Sequence, residues 1–94
     1  MVREILFFHG AECPHCAVMR PIVEKLKKEL KLKVTSFEVW HNEDNADKMR
    51  EFADIIAEAG DGDLGVPAFV DVKNNEAKCG EMPKKELKKW LMEK

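Results

Sequence analysis

The sequence predicts a single α/β domain over residues 1–94, a mixed four-stranded sheet with helices on both faces in the order βαβαββα. Three observations carry this expectation. An apolar run, Ile5 to Phe8, ends at His9-Gly10 and passes almost at once into a long helical repeat. A second, alternating run follows that repeat, as in a right-handed βαβ unit with parallel strands. The C-terminal third then shows strand character on both sides of Asn74-Asn75 and closes on a helical stretch, which reads as a hairpin with a covering helix.

Taken in order, Val2 to Phe8 is apolar, partly β-branched and aromatic, the composition of a buried strand. Pro14 suits the first turn of a helix, where its missing N–H costs nothing. Val18, Ile22, Val23, Leu26 and Leu30 then recur at helical spacing, and Lys27, Lys28 and Lys31 stand where the helix dipole favours cations. The helix is therefore expected over Pro14 to Leu30, with a kink at Pro21. Lys33 to Trp40 alternates through Val34, Phe37 and Val39 as a second strand. His41 to Asn45 is a turn in which Asn45 or Asp44 caps a helix running through Met49, Phe52, Ile55 and Ile56 to Ala59. Gly60-Asp61-Gly62-Asp63 ends that helix, and its acids are turn residues, because the ~12-residue calcium loop is absent. Ala68 to Val72 and Glu76 to Cys79 are the hairpin strands. The last helix, near Pro83 to Met92, carries Leu87, Trp90 and Leu91 on one face among lysines.

Composition narrows the function classes. With 45% hydrophobic and 36% charged residues, the chain has the mixture of a soluble globule. The net charge of −2 is spread among interspersed lysines and acids, so neither nucleic acid nor anionic lipid is an expected partner. No apolar run approaches the length of a membrane span, and Met1-Val2-Arg3-Glu4 leads into the first strand without a signal-peptide core. The expected compartment is the cytoplasm and the expected state a monomer. Three cysteines cannot all pair within one molecule, and a reducing compartment disfavours structural disulfides. Redox chemistry or metal binding remains.

The segment "HGAECPHCAVMRP" bears on that choice. Thiol–disulfide exchange needs a thiolate, and an ordinary cysteine has a pKa of about 8.5. Cys13 stands at a helix start, where unpaired N–H groups and the positive dipole end favour an anion, and His15 adds an imidazole beside it. Cys13 is the expected attacking sulfur. Cys16, one helical turn on, is placed to attack a mixed disulfide formed on Cys13. A metal clip is the alternative, but it normally takes four ligands, and only Cys79, His15 and His9 are at hand. Two unrelated buried cysteines form the third possibility.

"FFHGAECPHCAVMRP", "GVPAFV" and "KCGEMPKKELKKWL" together make the chain resemble the thioredoxin-like superfamily in its short, glutaredoxin-sized form. The resemblance covers nearly the whole chain. Pro21 falls where thioredoxins kink their first helix, Val66-Pro67 where the family carries a cis-proline opposite the dithiol, and Gly80 in the loop closing the substrate groove. It implies that Val66 and Pro67 shape the groove, leaving the Val66 backbone free to pair with an extended substrate. A trans proline opening an edge strand is the alternative. Departures also stand out. Glu12 replaces the tryptophan before the first cysteine, and Phe7 replaces the buried aspartate of the first strand. Cys16 thus lacks its usual proton acceptor, for which Glu38 is a candidate if its side chain points inward; a solvated Glu38 is the alternative. The glutathione grip of glutaredoxins is replaced by Cys79-Gly80-Glu81.

Cys79 is expected on the same rim as Cys13, either as a regulatory thiol or as a small packing residue. Trp40 and His41 end the second strand on the side of a parallel sheet where ligands bind, so Trp40 is a candidate groove wall and His41 a modulator of local charge. His9 is a further modulator. The expected function is a thiol–disulfide oxidoreductase acting on protein disulfides without an organic cofactor, recharged by a reductase or by glutathione. The alternative is a glutathione-dependent glutaredoxin, or a metal or iron–sulfur carrier using the same cysteines.

Overall fold

The computed structural model describes residues 4–60, 62 and 65–92. Its elements are β1 (Glu4–His9), α1 (Pro14–Leu30), β2 (Lys33–Glu38), α2 (Glu43–Arg50), α3 (Ala53–Ala59), β3 (Ala68–Asp71), β4 (Glu76–Cys79) and α4 (Lys84–Met92). The sheet order is β2-β1-β3-β4. β1 runs parallel to β2, with Phe8 opposite Phe37, and antiparallel to β3, with Phe7 opposite Phe69. β3 and β4 form the antiparallel hairpin.

Strand alternation divides the core. Ile5 and Phe7 of β1 point to one face and pack with Met19, Val23 and Leu26 of α1 and Leu87 and Leu91 of α4. Leu6 and Phe8 point to the other and meet Met49 of α2 and Ile56 of α3. Phe7 stacks on Phe69 at 5.1 Å between ring centres, and Phe8 on Phe37 at 5.3 Å. Both rings of β1 are buried, so the strand is fixed in register from two sides.

The chain departs from expectation in the middle. The helix expected to reach Ala59 unbroken is two helices, and its cap is Asn42, whose side chain accepts the Asn45 N–H at 3.1 Å, not Asn45 or Asp44. At the break the Glu51 N–H is shared between the Asp47 and Lys48 carbonyls and Phe52 bonds to Met49, so the last turn tightens and α2 stops. The order is βαβααββα. β2 also ends at Glu38, short of Trp40. α1 runs through Pro21 and ends on Lys31, which takes the left-handed conformation (φ 52°) that closes a helix. In the hairpin, buried Asp71 accepts the Asn74 backbone N–H at 3.3 Å and its side-chain amide at 2.8 Å, while Asn75 supplies the positive φ. Val2, Asp61 and Asp63 lie outside the described residues.

Candidate functional site

The turn from β1 into α1 delivers Cys13 to the helix N-cap. The Cys13 N–H bonds to the Gly10 carbonyl at 3.2 Å, and Sγ in turn accepts the Cys16 N–H, also at 3.2 Å. The sulfur therefore does the work usually given to a serine or aspartate cap, and one of the orphan donors at the helix start points at it. Both thiols are free. Cys13 keeps 5% of its surface open while Cys16 is sealed behind it. Burial pushes the Cys16 thiol up to about 12, helped by its hydrogen bond to Cys13 and by the neighbouring Cys13 charge; the Gly10 backbone and the Arg20 cation oppose this.

Opposite the sulfur lies the turn before β3. The Val66–Pro67 peptide is cis, and the Val66 carbonyl oxygen stands 3.9 Å from Cys13 Sγ, within reach of its S–H. The Pro67 carbonyl accepts the N–H of Gly80 at 2.9 Å, and Gly80 reaches this position with φ +94°, a conformation costly for any residue with a Cβ. Cys13, Cys16, Val66, Pro67 and Gly80, drawn from positions 13 to 80 of the sequence, thus form one constellation.

Trp40 forms the adjoining wall. Its indole lies directly on Gly10: a Cβ there would stand 2.7 Å from Cε3 and closer still to Cδ2 and Cε2. Half of the residue's surface remains open (51%). With Val39, Ala46, Met49, Arg50 and Val66 it lines a shallow hollow of about 220 Å3 that shares Val66 with the Cys13 site.

The other expected participants have partners of their own. The His15 imidazole, two residues after Cys13, meets Glu81 (Nδ1 to Oε1, 2.7 Å), because the loop after Gly80 brings that carboxylate over the first turn of α1. Cys79, expected on the Cys13 rim, donates to the Ile56 carbonyl at 3.5 Å and packs on the sheet face covered by α3, where burial raises its pKa. Glu38 does not turn to Cys16. Its Oε2 accepts the N–H of Ala11 at 2.9 Å and of Trp40 at 3.1 Å, and Oε1 that of His41 at 2.8 Å. Partial burial works against this carboxylate, yet the three backbone donors and the His41 ring hold its pKa below the usual carboxylate range. His41 Nε2 lies 2.6 Å from Glu12 Oε1. His9 Nδ1 accepts from Arg20 at 3.2 Å; burial and then the Arg20 charge lower the His9 pKa, against a smaller pull from Glu38. Sequence reasoning gave no role to Gly10 or Arg20 and named Glu81 only in the segment standing for the glutathione grip; of the three only Gly10, at a strand-to-turn junction, left a local signal. Among the described residues, no group of three or more His, Cys, Asp or Glu side chains is placed to hold a metal ion.

No protein-family model matches the chain, and no curated protein matches it. Among solved structures it is similar to the solution structure of an uncharacterized thioredoxin-like protein from Clostridium perfringens, with a TM-score of 0.69 and 22% sequence identity. That likeness covers 98% of this chain and 70% of the other. The fold is thioredoxin-like. Among the described residues no helix is long and apolar enough to cross a membrane.

Proposed function

We propose that the protein is a thiol–disulfide oxidoreductase that works through Cys13 and Cys16 on disulfides in other proteins. The observation that carries this reading is the position of the Cys13 sulfur: at the cap of α1, receiving the Cys16 N–H, narrowly open, and facing the Val66 carbonyl.

The Cys13 thiolate attacks one sulfur of the substrate disulfide, forming a Cys13 mixed disulfide and expelling a substrate thiolate, which takes a proton. Cys16 then loses its proton and attacks Cys13 Sγ. The Cys13–Cys16 disulfide forms, the second substrate thiolate leaves, and two electrons and two protons have passed to the substrate. A reductase or glutathione supplies the two electrons that restore the dithiol. Val66, Pro67, Gly80 and Trp40 bound the surface a substrate segment crosses, and no resident organic cofactor enters any step.

The test is a pair of variants assayed on a protein disulfide such as insulin. Cys13→Ser abolishes reduction, and Cys16→Ser accumulates a mixed disulfide on Cys13 that mass spectrometry identifies. Reduction at the wild-type rate by Cys13→Ser overturns the proposal.

A further inference from the structure

One carboxylate joins two loops that no ladder holds together. The segment Gly10–Glu12 carries the chain to Cys13; the segment Val39–His41 leaves the end of β2 and carries Trp40. Between them run the three N–H bonds into Glu38, two on Oε2 from Ala11 and Trp40 and one on Oε1 from His41. The Glu38 carbonyl is engaged as well, by the Asn45 side-chain amide at 3.0 Å, which fixes the end of β2 against α2. The remaining links are the Val39 N–H to the His9 carbonyl at 2.9 Å and the exposed His41–Glu12 contact. The bonds into the Glu38 carboxylate and the His41–Glu12 contact all lie at the exposed surface. A single side-chain pair there has little hold, whereas three backbone N–H groups converging on one carboxylate are charge-assisted bonds whose donors are already fixed by the chain.

We propose that Glu38 is a positioning residue of the dithiol site, holding the Cys13 loop and the Trp40 segment together so that the indole stays seated on Gly10 as the wall of the substrate groove. The inference rests on the oxidoreductase reading. The chemistry requires an acid here: an ionised carboxylate offers only acceptors on both oxygens, and three donors converge on them. Glutamine would turn an NH2 group toward at least one of those donors. The seat requires glycine at residue 10, because any Cβ would occupy the place of the ring. Trp40 also borders the hollow shared with Val66, so displacing it opens the groove next to the carbonyl that faces Cys13.

The experiment compares Glu38→Gln with wild type, both carrying Trp90→Phe so that Trp40 is the sole tryptophan. Far-UV circular dichroism and a cooperative melt first establish folding. The expected result is an increase of at least twofold in acrylamide quenching of Trp40, together with a KM for a protein disulfide raised roughly tenfold and kcat within about twofold, the split expected when binding alone is lost. Iodoacetamide modifies Cys13 at the wild-type rate. In a Trp40→Ala background the same substitution adds nothing further, since both act through one wall. Glu43→Gln removes a charge from the neighbouring helix, where the carboxylate is 87% exposed, and leaves KM unchanged. Quenching and KM both unchanged in folded Glu38→Gln overturn the proposal, as does a loss confined to kcat. If Glu38→Gln does not fold, Glu38→Asp, which keeps the charge but is one methylene short, takes its place with a smaller shift in the same direction; failure of both to fold assigns Glu38 to the fold and overturns the positioning role. The quenching readout needs no turnover, so loss of the oxidoreductase reading through Cys13→Ser is separable from loss of this one.

Discussion

Alkylation of the reduced protein at about pH 7.5 turns the depth of Cys16 into a rate. A thiol with a pKa of about 12 is ionised there in only about 3 × 10^-5 of molecules, against roughly one in ten for a cysteine at about 8.5. That is a deficit of about 3,000-fold in thiolate. A more basic thiolate is also a better nucleophile, and with a Brønsted slope of roughly 0.45 the gain is about 40-fold, leaving Cys16 slower by a factor of about 80. Zero exposure of the side chain adds an access penalty in the same direction. The assay is iodoacetamide labelling with quenching at intervals and mass mapping of each cysteine, run on native protein and again in denaturant. Cys16 should label at least about 80-fold more slowly in the native state than in the denatured chain. In Cys13→Ala, which removes the hydrogen-bond partner and its charge but leaves the burial, Cys16 should label faster than in wild type without reaching the denatured rate. Native labelling of Cys16 within tenfold of the denatured rate would refute the burial argument.

Other expectations follow from packing and charge. Gly10→Ala forces the indole of Trp40 off its seat, so the tryptophan emission should shift to the red and stability should fall by about 1–3 kcal/mol in urea titration, as for other overpacked sites. Met19→Ala removes a fully buried side chain between α1 and the loop at Met82 and should cost about 2–5 kcal/mol. Asn42→Ala removes the cap of α2 and should cost about 0.5–2 kcal/mol, measured as a lower urea midpoint at constant slope. Hydrogen bonds from Lys84 and Lys88, opposed by slight burial, hold the Glu29 carboxyl below the usual range. A lowered folded pKa gives stability that is present above the unfolded pKa and lost as pH falls through the folded one. The stability difference between wild type and Glu29→Gln should therefore be constant above about pH 5 and vanish on acidification.

Local signals sufficed where an element depends on its own residues. Pro14, the apolar repeat to Leu30 and the basic last turn fix α1 at the observed ends, and the Asn74-Asn75 turn fixes β4 at Glu76–Cys79. The break between α2 and α3 was illegible because Met49, Phe52 and Ile56 keep helical spacing across it and all meet the same core; periodicity cannot register a turn that only tightens. The site was legible as a cysteine pair, a proline and a glycine in chain order. Its long-range polar contacts were not, because they join loops far apart in sequence whose meeting depends on sheet register. Glu81 takes the His15 ring from 66 positions away, and Ala11 reaches Glu38 across 27. Strand parity at Glu38, the last residue of β2, left open whether the carboxylate faced Cys16 or solvent, and neither reading held its bonds to the loops.

That outcome for Glu38 fixes how the proposed second step must proceed. Phe7 stands on the α1 side of β1, stacked on Phe69 and 2% exposed, and offers no group that accepts a proton. Glu38 is committed to three backbone donors. With these two places in the strands closed, the control over Cys16 passes to its partner. In the dithiol, Cys13 raises the Cys16 pKa both by accepting its hydrogen bond and by its charge. Once Cys13 is bonded to substrate sulfur it carries no charge and is a poorer acceptor, so both of those contributions fall while burial stays. Formation of the mixed disulfide therefore eases ionisation of the very thiol that must resolve it, and the thiolate leaving the substrate in the first step is a base produced next to the site at that moment. In the proposed reaction the order of the two attacks is then set by electrostatics within the pair, with neither Phe7 nor Glu38 taking the proton.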